Sequence, residues 1–352
     1  MLRKRFYTQG LAILLRQAVT LDAIEELLTD FTVVKRTEAS TIWTIAGPTL
    51  LLAYRPEVNG YVSVDVVDHC WPDRMGDPET DPDVWGAWNM GHFGPGAWPG
   101  SLERACQHSW GWPEGRSIPL QHQAFIRILS SYTFGLPNVW TDVPENYDAA
   151  WAATRPKDYD PVHELTFVTR VAAALVRLPQ ALCYFNPNGE CVRDASQLLD
   201  CLNDHASAEE LPWYVWSNVR FFKLEDAKPV WNLMDTVGLS QLDAPDHEAF
   251  FELAAYKPGE VNTFLRVMSS YLVNDRPIIR DGDTTDGPGN VRWQGFNLSE
   301  ARVAPPRPVI RWFPLDRRKI PAELAKGPTP TFMSWKDRVR QIFRPKPPRR
   351  QG

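Results

Sequence analysis

Alternating and periodic hydrophobic positions divide the first 71 residues into short strands and one helix. The run "GLAILLRQA" predicts a strand, and "TLDAIEELLTD" predicts a short helix with its N-cap at Thr20 or Asp22. Three β-rich runs follow, "FTVVKRTEA", "STIWTIAGPTLLLAYRP" and "GYVSVDVVDHCW". The β-α-β-β-β order indicates an α+β fold, because it lacks the regular strand-helix alternation of a parallel α/β sheet.

After residue 122 the pattern predicts a strand, a helix at "HELTFVTRVAAALVRLP", a hairpin turning at "NPNG" and a helix capped by Asp194. Two more strands, a helix at "PGEVNTFLRVMSSYLVN" and a strand at "RPIIRDGDT" follow. The two helix-strand units are similar, which fits either an internal duplication or two unrelated amphipathic helices. We therefore expect two lobes with mixed or antiparallel sheets, residues 1–150 and 151–300, and a Pro-rich basic tail, residues 301–352.

The Trp-rich segment, residues 72–119, combines five tryptophans with Gly, Pro and acids, and contains a short predicted helix at "SLERACQHSW". Long loops of this kind are usually functional or disordered, and the tryptophans make disorder improbable. One interpretation is a loop that covers the core, and the other is a contact surface of aromatic anchors among acids. The candidate partner-binding residues are Asp73, Asp77, Glu79, Asp81, Asp83, Trp85, Trp88 and Trp98.

Charge is divided unevenly along the chain. Residues 302–352 contain 14 basic and three acidic residues, a net of +11, so the total of -5 leaves -16 on residues 1–301. An acidic body repels nucleic acid, which argues against DNA or RNA binding through it. The acidity either keeps the surface soluble or attracts a cationic partner.

The remaining composition indicates a globular cytoplasmic protein. Five cysteines without a CxxC pair argue against a disulfide framework and a structural zinc site. The apolar run near the N-terminus is too short for a signal peptide, and no uncharged window is long enough to span a membrane. The sequence indicates no cofactor.

The stretch "RDGDTTDGPG" fails as a known metal or phosphate loop. An EF-hand starting at Asp281 would have Arg292 at the position of its essential Glu, and three acids would repel a phosphate. A turn with specialised glycines is one interpretation, and a weak cation site of Asp281, Asp283 and Asp286 is the alternative.

Other catalytic patterns are incomplete. "HELTF" has Phe167 where a zinc protease needs its second histidine, and the chain contains no GxSxG elbow, Walker loop or dinucleotide fingerprint. His92, His108 and His122 lie around the Trp-rich segment, where they either meet Asp73 or Asp77 or serve as structural histidines.

Stretches such as "AWNMGHFGPGAWPGSLERA", "CYFNPNGE" and "GEVNTFLRVMSSYLVNDRPIIRDGDTTDGPG" resemble an uncharacterised bacterial family over most of residues 60–290. The C-terminal part is similar to a domain of unknown function with a Gly-Asp-Thr turn, here Gly282, Asp283 and Thr284. The resemblance implies no catalytic residues. It implies a genetic context of toxins and type VI secretion, in which a non-enzymatic protein neutralises a toxin.

Three functions are therefore expected, in order. The first is a cytoplasmic immunity protein whose acidic body occludes a cationic toxin such as a nuclease. The second is a metal-assisted hydrolase that uses the aspartates of "RDGDTTDGPG". The third is a scaffold or regulator that docks at a membrane through the basic segment "TFMSWKDRVRQIF" of the tail.

Overall fold

The structure is a computed structural model, and it describes residue 4 and residues 6–38, 47–134, 154–208, 210–224 and 230–315. Within these residues, the chain forms seven helices and two sheets, which confirms the α+β class. None of the described helices combines the length and the apolar character needed to cross a membrane. The amphipathic part of the predicted tail lies outside the described residues.

Sheet A has seven strands, and every neighbouring pair in it is antiparallel. The spatial order is β2-β3-β4-β5-β1-β6-β7. Its strands are β1 (Gln9–Leu15), β2 (Val33–Thr37), β3 (Thr49–Arg55), β4 (Gly60–Val67), β5 (Ala124–Ser131), β6 (Ala181–Asn186) and β7 (Cys191–Arg193).

Sheet B has six strands in the order β11-β12-β13-β10-β9-β8. It is mixed, because β13 runs parallel to β10 and antiparallel to β12. Its strands are β8 (Asn218–Leu224), β9 (Trp231–Val237), β10 (Asp246–Phe251), β11 (Thr284–Gly287), β12 (Val291–Leu298) and β13 (Val309–Pro314).

Two of the longer helices begin at signals that favour a helix start. In α4 (Pro161–Leu175), Asp160 accepts hydrogen bonds from the Val162 and His163 N–H groups, and Pro161 occupies the first turn. In α7 (Pro258–Asn274), Pro258 has the same position. The other helices are α1 (Leu21–Glu25), α2 (Pro82–Met90), α3 (Ser101–Gln107), α5 (Ala195–Ala208) and α6 (Trp213–Trp216).

One hydrophobic core joins the helix-covered faces of both sheets. It includes Leu11 and Ile13 of β1, Leu165 of α4, and Leu265 of α7 packed towards Trp312 of β13. A second core fills the opposite face of sheet A, and a third lies on the opposite face of sheet B. The two sheets are therefore parts of one continuous packing unit.

Two predicted boundaries differ from the structure. Strands β6 and β7 belong to sheet A, so the chain changes sheets between Arg193 and Asn218 rather than near residue 150. Residues 309–314, assigned by their Pro-rich surroundings to the tail, form a strand inside sheet B. Both faces of this strand are buried, and strands of this kind have a nearly continuous apolar run instead of an alternating pattern.

Candidate functional site

The Trp-rich segment packs against the second face of sheet A. Trp88 and Trp112 are 8% and 5% exposed, and they lie in the same core as Phe125 and Phe185. The Trp88 indole N–H also donates to the Pro72 carbonyl. The positions of these two rings are therefore explained by packing in the core, and little of the Trp88 surface is exposed for a partner to contact.

Asp73 holds the start of this segment against helix α3. Its two carboxylate oxygens accept hydrogen bonds from the N–H groups of Leu102 (2.9 Å) and Glu103 (2.8 Å). Burial raises the pKa of Asp73, although these hydrogen bonds and Arg104 act in the opposite direction. Asp73 thus satisfies the free N–H groups at a helix start, and its side chain faces inward.

Three of the predicted contact acids face solvent. Asp77, Glu79 and Asp81 are exposed, and none of them forms an ion pair with a described residue. The Asp77 carboxylate fixes its own loop by accepting hydrogen bonds from the N–H groups of Glu79 and Thr80. Asp83 is half-buried, as are Trp85 and Trp98.

Trp110 is the most exposed tryptophan of the segment, at 58%, and it is missing from the candidates derived from sequence. The Arg116 guanidinium lies 5.6 Å from its ring centroid. Composition marks all five tryptophans alike, because only the fold decides which ring reaches solvent. The adjacent Gly111, with open space around its Cα, is a local signal of an exposed turn.

Helix α3 lies between the exposed acids and Trp110. Asp73 holds the acidic loop at the first turn of α3 through its hydrogen bond with Leu102. Trp110 follows the last turn of α3, and the two ends of this helix are about 10 Å apart. The helix exposes Glu103 and Gln107, which are hydrogen-bonded to each other at 3.2 Å. We call this surface the acidic-aromatic strip; it consists of Asp77, Glu79, Asp81, Glu103, Gln107 and Trp110.

The three aspartates proposed as a cation site are engaged with separate protein groups. Asp281 accepts hydrogen bonds from the backbone and side chain of Asn297, and Asp283 accepts one from the Arg280 N–H. Asp286 lies 3.6 Å from Arg292 across the β11–β12 hairpin. In the described part of the chain, no group of three His, Cys, Asp or Glu residues is arranged to hold a metal ion.

The histidines near the Trp-rich segment occupy separate, largely buried positions. Burial lowers the pKa of His92 to about 3 and that of His108 to about 4. His122 accepts a hydrogen bond from the Trp71 N–H through Nε2, and its Nδ1 contacts the Pro119 carbonyl. Burial lowers the His122 pKa too. These environments fit the structural interpretation of the histidines.

A row of charges crosses sheet B, and sequence reasoning did not identify it. Arg220, Asp235, Glu248 and Arg311 lie opposite one another on β8, β9, β10 and β13, and all four are at most 1% exposed. Arg220 binds Asp235 through two hydrogen bonds, at 3.0 and 2.6 Å, and Arg311 binds Glu248 at 2.8 and 2.6 Å. Two residues further along each strand, the same face carries Phe222, Leu233, Phe250 and Phe313.

This row continues into sheet A and into the loop before β13. Glu190, in the "NPNG" hairpin between β6 and β7, binds Arg104 at 2.6 Å and Arg220 at 3.0 Å. Arg307 binds Asp235 at 2.6 Å and Asp246 at 3.2 Å. Ion pairs connect Arg104, Glu190, Arg220, Asp235, Arg307 and Asp246. The Glu248–Arg311 pair lies beside them in the same row of sheet B. These four arginines and four acids have a formal net charge of zero, and we call them the junction network.

The "NPNG" turn between β6 and β7 is buried and hydrogen-bonded to several other segments, unlike a typical turn at the surface. Asn186 donates to the Trp216 carbonyl and the Gln241 side chain, and Asn188 donates to the Gly10 carbonyl. A Cβ on Gly189 would fall far inside contact distance of the Trp216 carbonyl oxygen, so only glycine fits there. The turn thus joins the two sheets.

A small cleft borders the junction network. It is lined by Asp246, Arg307, Asn188, Ser240 and Trp98, among others, and its cavity volume is about 10 Å³. That volume holds about one water molecule. Asp246 already accepts hydrogen bonds from the Thr236 hydroxyl and the Leu239 N–H.

A second buried polar cluster surrounds Glu164 of α4. Its carboxylate accepts hydrogen bonds from Ser130 (2.5 Å), Thr8 (2.8 Å) and Tyr159 (2.9 Å), and the Lys4 ammonium donates to Tyr159 at 2.8 Å. Burial raises the pKa of Glu164 and lowers that of Lys4. Hydrolases use such residue types, but here Ser130 and Glu164 are fully buried and mutually satisfied.

Comparison with known proteins adds one finding. Searches against curated proteins and solved structures give no significant match. Residues 235–313 match the family described as a domain of unknown function, DUF4261. This region includes five members of the junction network, Asp235, Asp246, Glu248, Arg307 and Arg311. The chain therefore contains a C-terminal domain of unknown function, and the match assigns it no activity.

Proposed function

We propose that this is a non-enzymatic protein-binding protein that recognises a cationic protein partner through the acidic-aromatic strip. The observation that carries the proposal is the exposure of Trp110 after one end of helix α3, together with exposed carboxylates near the other end that form no ion pair with a described residue. Exposed tryptophans act as binding anchors at protein interfaces, and surrounding charges set orientation and partner choice.

The distribution of charge supports a cationic partner. Residues 316–352 have 11 basic and three acidic residues, so a net of -13 belongs to residues 1–315. The junction network has no net charge, and Arg127 is likewise paired with Asp65 in the interior. The negative charge of the body is therefore concentrated at the surface, where it attracts cations over about 10 Å at moderate ionic strength.

The framework behind the strip is rigid, which favours binding over a solubilising role alone. Asp73 is bonded to the start of α3, Trp88 is bonded to Pro72, and Arg104 of α3 is ion-paired with Glu190. A preorganised surface loses less conformational entropy on binding than a free loop.

The more specific form of the proposal is an immunity protein that occludes a cationic toxin such as a nuclease. A nuclease binds phosphates with Lys and Arg, and carboxylates on a rigid surface can occupy the same cationic groove. This form rests on the resemblance to a family found among toxin genes and on the sign of the strip.

Affinity capture from native cells at low and moderate salt, with mass spectrometry, identifies the partner, and titration with the purified partner then measures affinity. The test variant is Asp77→Lys/Glu79→Lys/Asp81→Lys. Its matched control, with the same change in net charge, is Asp200→Lys/Asp204→Lys/Glu210→Lys, at three exposed acids on or just after α5.

The strip variant should weaken binding at least about tenfold while the control changes it little, and higher salt should shrink the difference. Equal effects of the two variants would contradict a specific surface. Co-expression tests the immunity form, because the wild-type protein should rescue growth of cells that make the captured partner, whereas the strip variant should not.

A further inference from the structure

We propose that the C-terminal residues 316–352, which are the part of the predicted tail beyond β13 and are called the tail from here on, bind the acidic-aromatic strip of the same molecule and compete there with the cationic partner. The inference rests on the proposed function, because it identifies a regulator of that same surface. Its chemical basis is a polybasic segment with aromatic residues opposite a surface of carboxylates and one exposed tryptophan.

The described chain ends at one end of a row of side chains that leads to Trp110 of the strip. Leu315 follows β13, and Phe313 lies in the row that continues through Phe250 and Leu233 to Phe222 of β8. Three strand spacings place Phe313 about 14 Å from Phe222. The His108 ring packs 4.9 Å from Phe222 and 6.1 Å from Trp110. The tail therefore starts on the face of sheet B that leads to Trp110.

The tail is long enough to follow the whole strip. Its 37 residues span up to about 120 Å when extended, compared with about 10 Å for helix α3. A tether of this length gives an effective concentration in the millimolar range. Even an intrinsically weak tail contact would therefore be well populated within one molecule.

Charge and composition complement the strip. The tail has a net charge of +8, whereas residues 1–315 have a net of -13. Arg307 and Arg311 pair with Asp235 and Glu248 of the body, and the Arg302 N–H donates to Glu248. These three arginines precede residue 316 and are not counted in the charge of the tail. Phe332 and Trp335 lie next to the basic run and can pack on Trp110.

Carbodiimide cross-linking of the full-length protein tests the contact without any partner. The reagent joins a lysine amine to a carboxylate in contact with it, and Lys326, Lys336 and Lys346 are lysines of the tail. We expect their peptides joined to Asp77, Glu79, Asp81 or Glu103, and the yield should fall as salt rises. Mixing isotopically labelled and unlabelled protein separates links within one molecule from links between molecules.

Comparable yields to Asp200, Asp204 and Glu210 would overturn the proposal, as would links formed only between molecules. The variant Lys336→Gln/Arg338→Gln/Arg340→Gln should lose the strip cross-links of Lys326 and Lys346, which it retains, and should bind a fluorescent deca-arginine peptide about tenfold more tightly. Unchanged peptide affinity would also refute the competition. Failure of the proposed function is distinguishable, because it would leave the cross-links intact while strip variants bind the natural partner normally.

Discussion

Asp235 and Glu248 lie directly opposite each other on the neighbouring strands β9 and β10, and both side chains are fully buried. Like charges in this position destabilise a sheet. Arg220 and Arg311 occupy the outer places of the same row, and Arg307 binds Asp235 from the adjoining loop. The two acids are therefore compatible with the fold only while these arginines are present.

Removing one member of the buried Glu248–Arg311 ion pair should lower the free energy of unfolding far more than replacing both members with uncharged residues. Arg311→Met should destabilise the protein by about 3–5 kcal/mol, because it leaves the Glu248 carboxylate buried without its cation. Glu248→Gln/Arg311→Met should recover most of this loss, since the amide oxygen still accepts from the Arg302 N–H. Urea unfolding measures both, and a double variant as unstable as the single one would contradict the argument.

Gly189 should tolerate no side chain. Gly189→Ala places a methyl group against the Trp216 carbonyl, and we expect a loss of about 1–3 kcal/mol or more in the free energy of unfolding. Gly259→Ala is the matched control, because its Cβ meets only open space in the first turn of α7. That change should stabilise the protein by about 0.5–1 kcal/mol. Thermal unfolding of the two variants should shift in opposite directions.

Alanine variants of Trp110 and Trp112 should have different effects, the first on partner binding and the second on folding stability. Trp110→Ala should change the free energy of unfolding by less than about 0.5 kcal/mol, because its ring is mostly in solvent. Trp112→Ala should cost about 3–5 kcal/mol, because that ring is buried in the core of sheet A. If the strip is a binding surface, only Trp110→Ala should weaken the partner complex while the protein remains fully folded in circular dichroism.

Glu164 should make the stability depend on pH. Burial raises its pKa in the folded protein, with Ser130 and Lys4 opposing this effect, so the folded state binds the proton more tightly than the unfolded state. The resulting stabilisation is present below the unfolded glutamate pKa of about 4.3 and is lost as pH rises through the folded pKa. The free energy of unfolding, measured with urea, should therefore decrease less between pH 4.5 and 8 for Glu164→Gln than for the wild type. Curves of stability against pH that run parallel for the two proteins would show that Glu164 does not cause the pH dependence.

Much of the fold is predictable because local signals and packing agree. The capping residues Thr20, Asp160 and Asp194 mark starts of helices, and alternation identifies β4 and β5. Helix α2 was missed although Pro82 and Gly91 give it start and stop signals, because the surrounding Gly and Pro favoured a loop. Strand β13 was missed because composition outweighed its short apolar run.

The junction network was not predictable from local pattern. Arg220, Glu248 and Arg311 appear as ordinary charges in their strands, and only the register of four strands places them in one buried row. The candidate residues derived from sequence also omitted Trp110. Only the folded structure shows that its ring is exposed to solvent whereas those of Trp88 and Trp112 are buried. Both failures concern relations between distant segments.

The burial of Lys4 has a consequence for the order in which the chain can fold during synthesis. Its ammonium donates to the Gln241 carbonyl, 237 positions later, and pairs with Asp243. Sheet A requires the chain only as far as Arg193, so it can assemble while Lys4 still lacks these partners. The segment around Lys4 thus reaches its final position late, and we expect chain termination before residue 243 to leave a partly folded protein with Lys4 exposed.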